Sequence, residues 1–231
     1  MGSTGCDHYF YRSSDTYEGV LFLAREGLGV QGAMLDRSLI EDVIDAHWIT
    51  VESDLAKKRM GDYSRWYAHD RVKASQLHPS YFEEALETSW EPMTQEETKA
   101  FLGTMRQGGG SWTGVKTGKR IEAIEHLWTN EASRAECRFF ADWVQAQNTG
   151  VLHSGPVGLA AMTERHGEGW RMRSRDEGFF VRQALHAAIW GYSQIITLLI
   201  DELKLPGKDR FEAEVYPSAQ LVFVKDPDES P

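Results

Sequence analysis

The hydrophobic pattern is most informative from Gly29 to Glu52, G-V-Q-G-A-M-L-D-R-S-L-I-E-D-V-I-D-A-H-W-I-T-V-E. At about 100° per residue, Ala33, Ile40, Ile44, Trp48 and Val51 form one stripe, which predicts an amphipathic helix. Arg37 falls roughly 30–40° from the centre of that stripe, and Glu41 lies one turn on at its shoulder. A guanidinium there needs a partner, and Glu41 stands at i,i+4 to supply one. This pair is the first candidate for a polar site.

Upstream, Asp15 with Glu18 opens a predicted helix through Val20, Leu21, Leu23 and Ala24, and residues up to about Ser14 carry no clear pattern. Gly27-x-Gly29-x-x-Gly32 matches the spacing of a dinucleotide fingerprint. That fingerprint works only between a strand and a helix in alternating βα units. No such alternation follows, so a joint between two helices is expected.

Three capping boxes announce helix starts: Ser80 with Glu83, running to about Trp90; Thr94 with Glu97, to about Arg106; and Ser174 with Glu177, to about Leu203. Between the last two, Lys119 to Gln147 repeats Ile121, Ile124, Trp128, Ala135, Phe139 and Trp143 at threes and fours, which predicts one long helix ended by Asn148-Thr149-Gly150. A short helix is expected over Val157 to Thr163, followed by a mixed-charge segment from Glu164 to Arg175. After Leu205-Pro206-Gly207 the pattern alternates in Phe211–Val215 and is β-prone in Leu221–Val224, which predicts a small hairpin or strap. The expected organisation is a flexible N-terminus (1–14), a helical domain (15–205) and an extended C-terminal strap and tail (206–231). The expected fold is all-α, a bundle of six to eight helices with a small C-terminal β hairpin or strap.

Length and charge narrow the classes. A chain of 231 residues can bury a sizeable core. A net charge of −10 argues against a surface that coats nucleic acid, though a local basic cleft is compatible with it. Two cysteines, Cys6 and Cys137, do not make a disulfide framework, and Cys137 is expected to be a reduced core thiol. No charged-then-apolar leader opens the chain, and M-G-S-T-G-C misses the Ser or Thr of a myristoylation signal. The apolar run Ala184–Ile200 carries His186 and Gln194 and is short for a membrane span. A cytoplasmic setting without membrane contact is expected.

Candidate chemistry is sparse. Residues 53–78 interleave Lys57, Lys58, Arg59, Arg65, Arg71 and Lys73 with Tyr63, Trp66 and Tyr67, a composition that can stack on and neutralise single-stranded nucleic acid. The plainer expectation is an exposed helix with its aromatics turned inward. The loop Gly108–Gly114 holds Trp112 as an anchor or a lid, and Thr113 and Arg120 depart from the P-loop pattern. Glu41 with Asp45, and Glu122 with Glu125 and His126, are the nearest approaches to metal ligands, and neither has the spacing of a metal motif. No metal or other cofactor is expected. Ser154 beside His153 lacks a nucleophile elbow. Arg120 with His126, and Arg182 with His186, approach the Arg–His spacing of metal-independent helical ribonucleases of the HEPN (higher-eukaryote-and-prokaryote nucleotide-binding) superfamily, in which Arg stabilises the phosphorane and His moves a proton.

R-S-L-I-E at Arg37–Glu41, S-W-T-G at Ser111–Gly114 and V-L-H-S at Val151–Ser154, in that order, resemble a bacterial family of helical proteins whose activity is not established. The resemblance covers roughly residues 20–200. It implies an all-helical fold and brings Arg37, Glu41, Trp112 and His153 near one another. It is also similar in general shape to defence-associated and toxin–antitoxin helical proteins of HEPN-like form. The expectation is a bacterial interaction or regulatory protein with an Arg37–Glu41–His153 pocket, Arg37 clamping an anion, His153 moving a proton, Trp112 covering the site, and Ser154, Arg182 and His186 as binding residues. The alternatives are a structural network of the same groups and a ribonuclease. A protein partner or a second copy of the chain is the expected associate; nucleic acid is less favoured.

Overall fold

A computed structural model describes residues 6–81, 86–146, 149, 163–172 and 179–215. Eight helices dominate them, with one antiparallel hairpin. The helices are α1 (Cys6–Arg25), α2 (Gly29–Val51), α3 (Ser53–Leu77), α4 (Gln95–Gln107), α5 (Thr117–Ile124), α6 (Glu131–Arg138), α7 (Phe179–Leu203) and the single turn α8 (Lys208–Arg210). The chain divides into a first unit, Met1–His47 with Glu125–Pro231, and a second, Trp48–Ile124. All-α with a small hairpin is therefore the architecture.

In the first unit, α2 is buried on nearly every side. From Leu39 to Trp48 only Glu41 escapes full burial. A helix apolar on one stripe can be this central only if its remaining faces are also covered. Val20 of α1, Leu39 of α2 and Ala184 and Ala188 of α7 make the shared core. Tyr17 stacks on Tyr192 with ring centroids 4.7 Å apart, and Ser14 Oγ lies 3.1 Å from the Tyr192 hydroxyl. Phe140 stacks on Trp190 at 4.5 Å.

The glycine triple is the joint and the crossing. Gly27, at φ +69°, follows the last turn of α1, where Gly27 N–H donates to Ala24 O and Leu28 N–H to Leu23 O. That is a Schellman ending, which favours glycine in the left-handed position. Gly29 lets α7 come close: a Cβ there would lie 2.3 Å from the Val181 amide nitrogen.

Several elements differ from the sequence expectation. Residues 6–14 are helical, because α1 begins at Cys6 and places Tyr9 and Ser13 in the interior. The long helix over 119–147 is broken. A 3-10 turn, Glu125–Leu127, follows α5, and Asn130 restarts the chain as an N-cap accepting from Ser133 N–H at 2.8 Å. Asn competes for backbone groups and so favours a new start over a continued helix. Arg138 closes the break by donating to the Glu125 carboxylate. A π-helical stretch, Phe139–Val144, then extends α6.

Ser80 does not open a helix to Trp90. Pro79–Tyr81 is a 3-10 turn and residues 86–90 are irregular. The hairpin lies at β1 (Thr163–His166) and β2 (Gly169–Met172), pairing Arg165 with Trp170. Thr163 is thus a strand residue, while Phe211–Val215 winds as a π-helical turn rather than a strand. The expected strand at 221–224, the helix over 157–162 and the Ser174–Glu177 cap lie outside the described residues.

In the second unit, Thr94 caps α4 as expected. Its Oγ1 accepts from Glu97 N–H at 3.1 Å, and Glu97 Oε2 accepts from Thr94 N–H at 2.7 Å. Tyr63 and Trp66 of α3 turn inward onto Phe101 of α4, with centroids 6.5 and 5.8 Å apart.

Candidate functional site

The Arg37–Glu41 pair forms, but not in a dry interior. Arg37 Nη2 lies 3.5 Å from Glu41 Oε2, and each side chain is 29% exposed. Arg37 Nε donates to Thr149 Oγ1 at 3.0 Å, and Thr149 in turn donates to Gln145 O at 2.8 Å. This ties α2 to the stretch after α6. One of the five guanidinium N–H donors goes to a hydroxyl and a carboxylate stands beside another, so Arg37 links α2 to that stretch. His153 and Ser154 lie outside the described residues. Trp112 belongs to the second unit, where it meets Trp48 edge-on at 6.2 Å and acts as a loop anchor.

The Arg–His candidates are dispersed in character. Arg120 is fully buried and donates to Thr117 Oγ1 at 3.0 Å, while His126 is exposed. Arg182 is exposed on α7. One turn on, His186 sets its ring edge-on against Phe140 at 4.9 Å, and burial lowers its pKa. That is the environment of a packed core histidine.

The polar groups actually interred in α2 are Asp36, Asp42, Asp45 and His47. Among the described residues, neither Asp36 oxygen has a hydrogen-bond donor, and burial pushes its carboxyl well above the ordinary carboxylate range. Asp42 sits 3.3 Å from Arg12 Nε; burial raises its pKa to about 7 against the lowering pull of Arg12. His47 rests its ring on Trp128 at 5.1 Å, and burial lowers its pKa. Of these, sequence reasoning singled out only Asp45. The signal for the others was polar residues spread around a helix long and apolar enough to be central. Among the described residues, no group of three His, Cys, Asp or Glu side chains could hold a metal ion.

A second candidate lies in the second unit. A cleft of about 420 Å³ runs between α3 and the irregular segment 86–90, lined by Tyr63, Tyr67, Arg71, Glu87 and Trp90 among others. Tyr63 and Tyr67, one turn apart, lie nearly parallel at 7° with centroids 5.9 Å apart. Tyr67 and Trp90 are 46% and 48% exposed, so each offers about half its surface to a ligand. The Arg71 guanidinium stands 6.0 Å from the Tyr67 ring centroid.

The cleft wall is fastened from α3 by two residues one turn apart. Arg65 donates to Glu91 O and Pro92 O, both at 2.6 Å, and His69 Nε2 lies 2.7 Å from Trp90 O. A carbonyl only accepts, so His69 carries its proton on Nε2. Three consecutive carbonyls are thereby held, and Trp90 with them. The basic–aromatic stretch 53–78 thus splits: Trp66 serves the core, Tyr63 meets Phe101 and also lines the cleft, and Tyr67 and Arg71 face the cleft.

No family model, curated protein or solved structure matches this chain. Among the described residues, no helix is long and apolar enough to cross a membrane. The site's geometry is therefore the guide to function.

Proposed function

We propose that this chain is a recognition protein of the interaction or regulatory class, with the cleft of the second unit as its ligand seat. The observation that carries the reading is the pre-formed aromatic wall: the Tyr63–Tyr67 stack and Trp90, half open and fixed from behind by Arg65 and His69. Rigid aromatics give contact area at small ordering cost, and a concave site with a few polar groups is the usual form of a small-molecule seat. The Arg37–Glu41–Thr149 group serves this reading as a structural tether. A cytoplasmic setting fits the buried free thiol of Cys137, whose pKa burial pushes up to about 12. A bacterial, defence-associated role is part of the proposal only through the sequence resemblance.

Calorimetric titration with flat aromatic ligands tests it, using wild type, Tyr67→Ala and Arg37→Ala. Binding should weaken about tenfold or more in Tyr67→Ala, a loss of about 1.4 kcal/mol, and stay unchanged in Arg37→Ala. Binding that follows Arg37 and ignores Tyr67 would return the site to the helical core.

A further inference from the structure

We propose that the cleft takes a free nucleoside monophosphate, its base against Tyr67 and Trp90 and its phosphate on Arg71. This rests on the cleft being the ligand seat and adds the class of ligand.

Arg71 carries the first part of the argument. It is exposed, one turn beyond Tyr67, and its guanidinium lies over the Tyr67 ring, 6.0 Å from the centroid, so that Tyr63, Tyr67 and Arg71 follow one another along α3. Among the described residues it has no carboxylate partner, whereas Arg65 pairs with Glu97 and Arg138 with Glu125 and Asp142. A solvated guanidinium over Tyr67, in a cleft whose other exposed aromatic is Trp90, matches a ligand that joins a planar base to an anion. Arginine offers a planar fork to phosphate oxygens, and base–aromatic stacking is indifferent to which base is present.

Charge limits how much anion the site can take. The second unit, Trp48–Ile124, holds eleven basic and eleven acidic residues in a chain whose net charge is −10. It therefore has no surplus field to gather a polyanion, and binding a strand needs several phosphates neutralised together. Glu87 lies in the cleft lining itself, where its carboxylate opposes a second phosphate. It is also an acceptor for a base's exocyclic amine. One phosphate can be matched by Arg71; two or more would meet Glu87.

Calorimetry on the full chain tests this with AMP, GMP, CMP and UMP, the corresponding nucleosides, ATP, and a 5′-phosphorylated oligothymidylate. At least one monophosphate should bind, and bind more tightly than its nucleoside. Arg71→Gln should erase that difference and leave nucleoside binding as it was. Tyr67→Ala and Trp90→Ala should weaken both ligands about tenfold or more, with circular dichroism confirming that the variants fold. No binding by any monophosphate, or tighter binding of ATP or the oligonucleotide through Tyr67, overturns the ligand class while leaving the cleft as the seat. Nucleotide binding that is indifferent to both Tyr67→Ala and Trp90→Ala overturns the class and the seat together.

Discussion

Asp36 and Asp42 show how far one side chain can run against the rest of a helix. Each has its folded-state pKa raised by burial, so the folded protein holds these protons more tightly than the unfolded chain. For Asp42 the contribution is fully present below the ordinary value of 3.8 and is lost as pH climbs towards about 7. That window is about three pH units, on the order of 4 kcal/mol at most, and Asp36 acts in the same direction. Mild acidification from pH 8 to pH 5 should therefore stabilise the protein. Urea denaturation at several pH values would read this, and Asp36→Asn should raise stability at pH 8 and flatten the profile. A profile that falls on acidification over that range would contradict the buried-acid account. Arg37 is a smaller matter. Its partly buried pair with Glu41 and its bond to Thr149 predict that Arg37→Ala costs about 1 kcal/mol in the same denaturation assay. At this scale the sequence made the Arg37–Glu41 contact legible, because i,i+4 geometry is local. It could not show that Asp36 is deeper than Arg37, because that depends on which helices cover the far side of α2.

Among the elements, those with local punctuation were the readable ones. Thr94 and Glu97 specify the start of α4 by themselves, and Thr94→Ala should lower the melting temperature by an amount equal to about 1 kcal/mol. The glycine triple was correctly a helix joint, yet the reason for Gly29 lay elsewhere, in the backbone of α7. Gly29→Ala should cost about 1–3 kcal/mol by overpacking, more than its helix propensity would return; a gain in stability on denaturation would mean that α7 does not approach so closely. The break between α5 and α6 was illegible because Ile121, Ile124 and Trp128 keep helical spacing across it. The Asn130 cap and the Arg138–Glu125 bond decide the geometry there, and hydrophobic periodicity carries neither. Alternation in Phe211–Val215 likewise misled, since five residues are too few to separate a strand from a helical turn.

For the whole molecule, the first unit holds the buried helix α2 and the second holds the open cleft. The acidic excess belongs to the first unit, and the second is balanced. Bulk charge therefore said little about the cleft. Its aromatic and basic residues were visible in the 53–78 stretch, but Trp90 stood at the end of an expected helix, whereas residues 86–90 are irregular. The most direct test uses 5-fluorotryptophan in place of the eight tryptophans and fluorine NMR, with Trp90→Phe identifying the cleft resonance and Trp190→Phe one from the first unit's core. Adding a nucleoside or its monophosphate should shift the Trp90 signal, leave Trp190 in place, and need about tenfold or more ligand for the same shift in Tyr67→Ala. A Trp90 signal unmoved by ligands that calorimetry shows to bind would contradict the cleft as the recognition site.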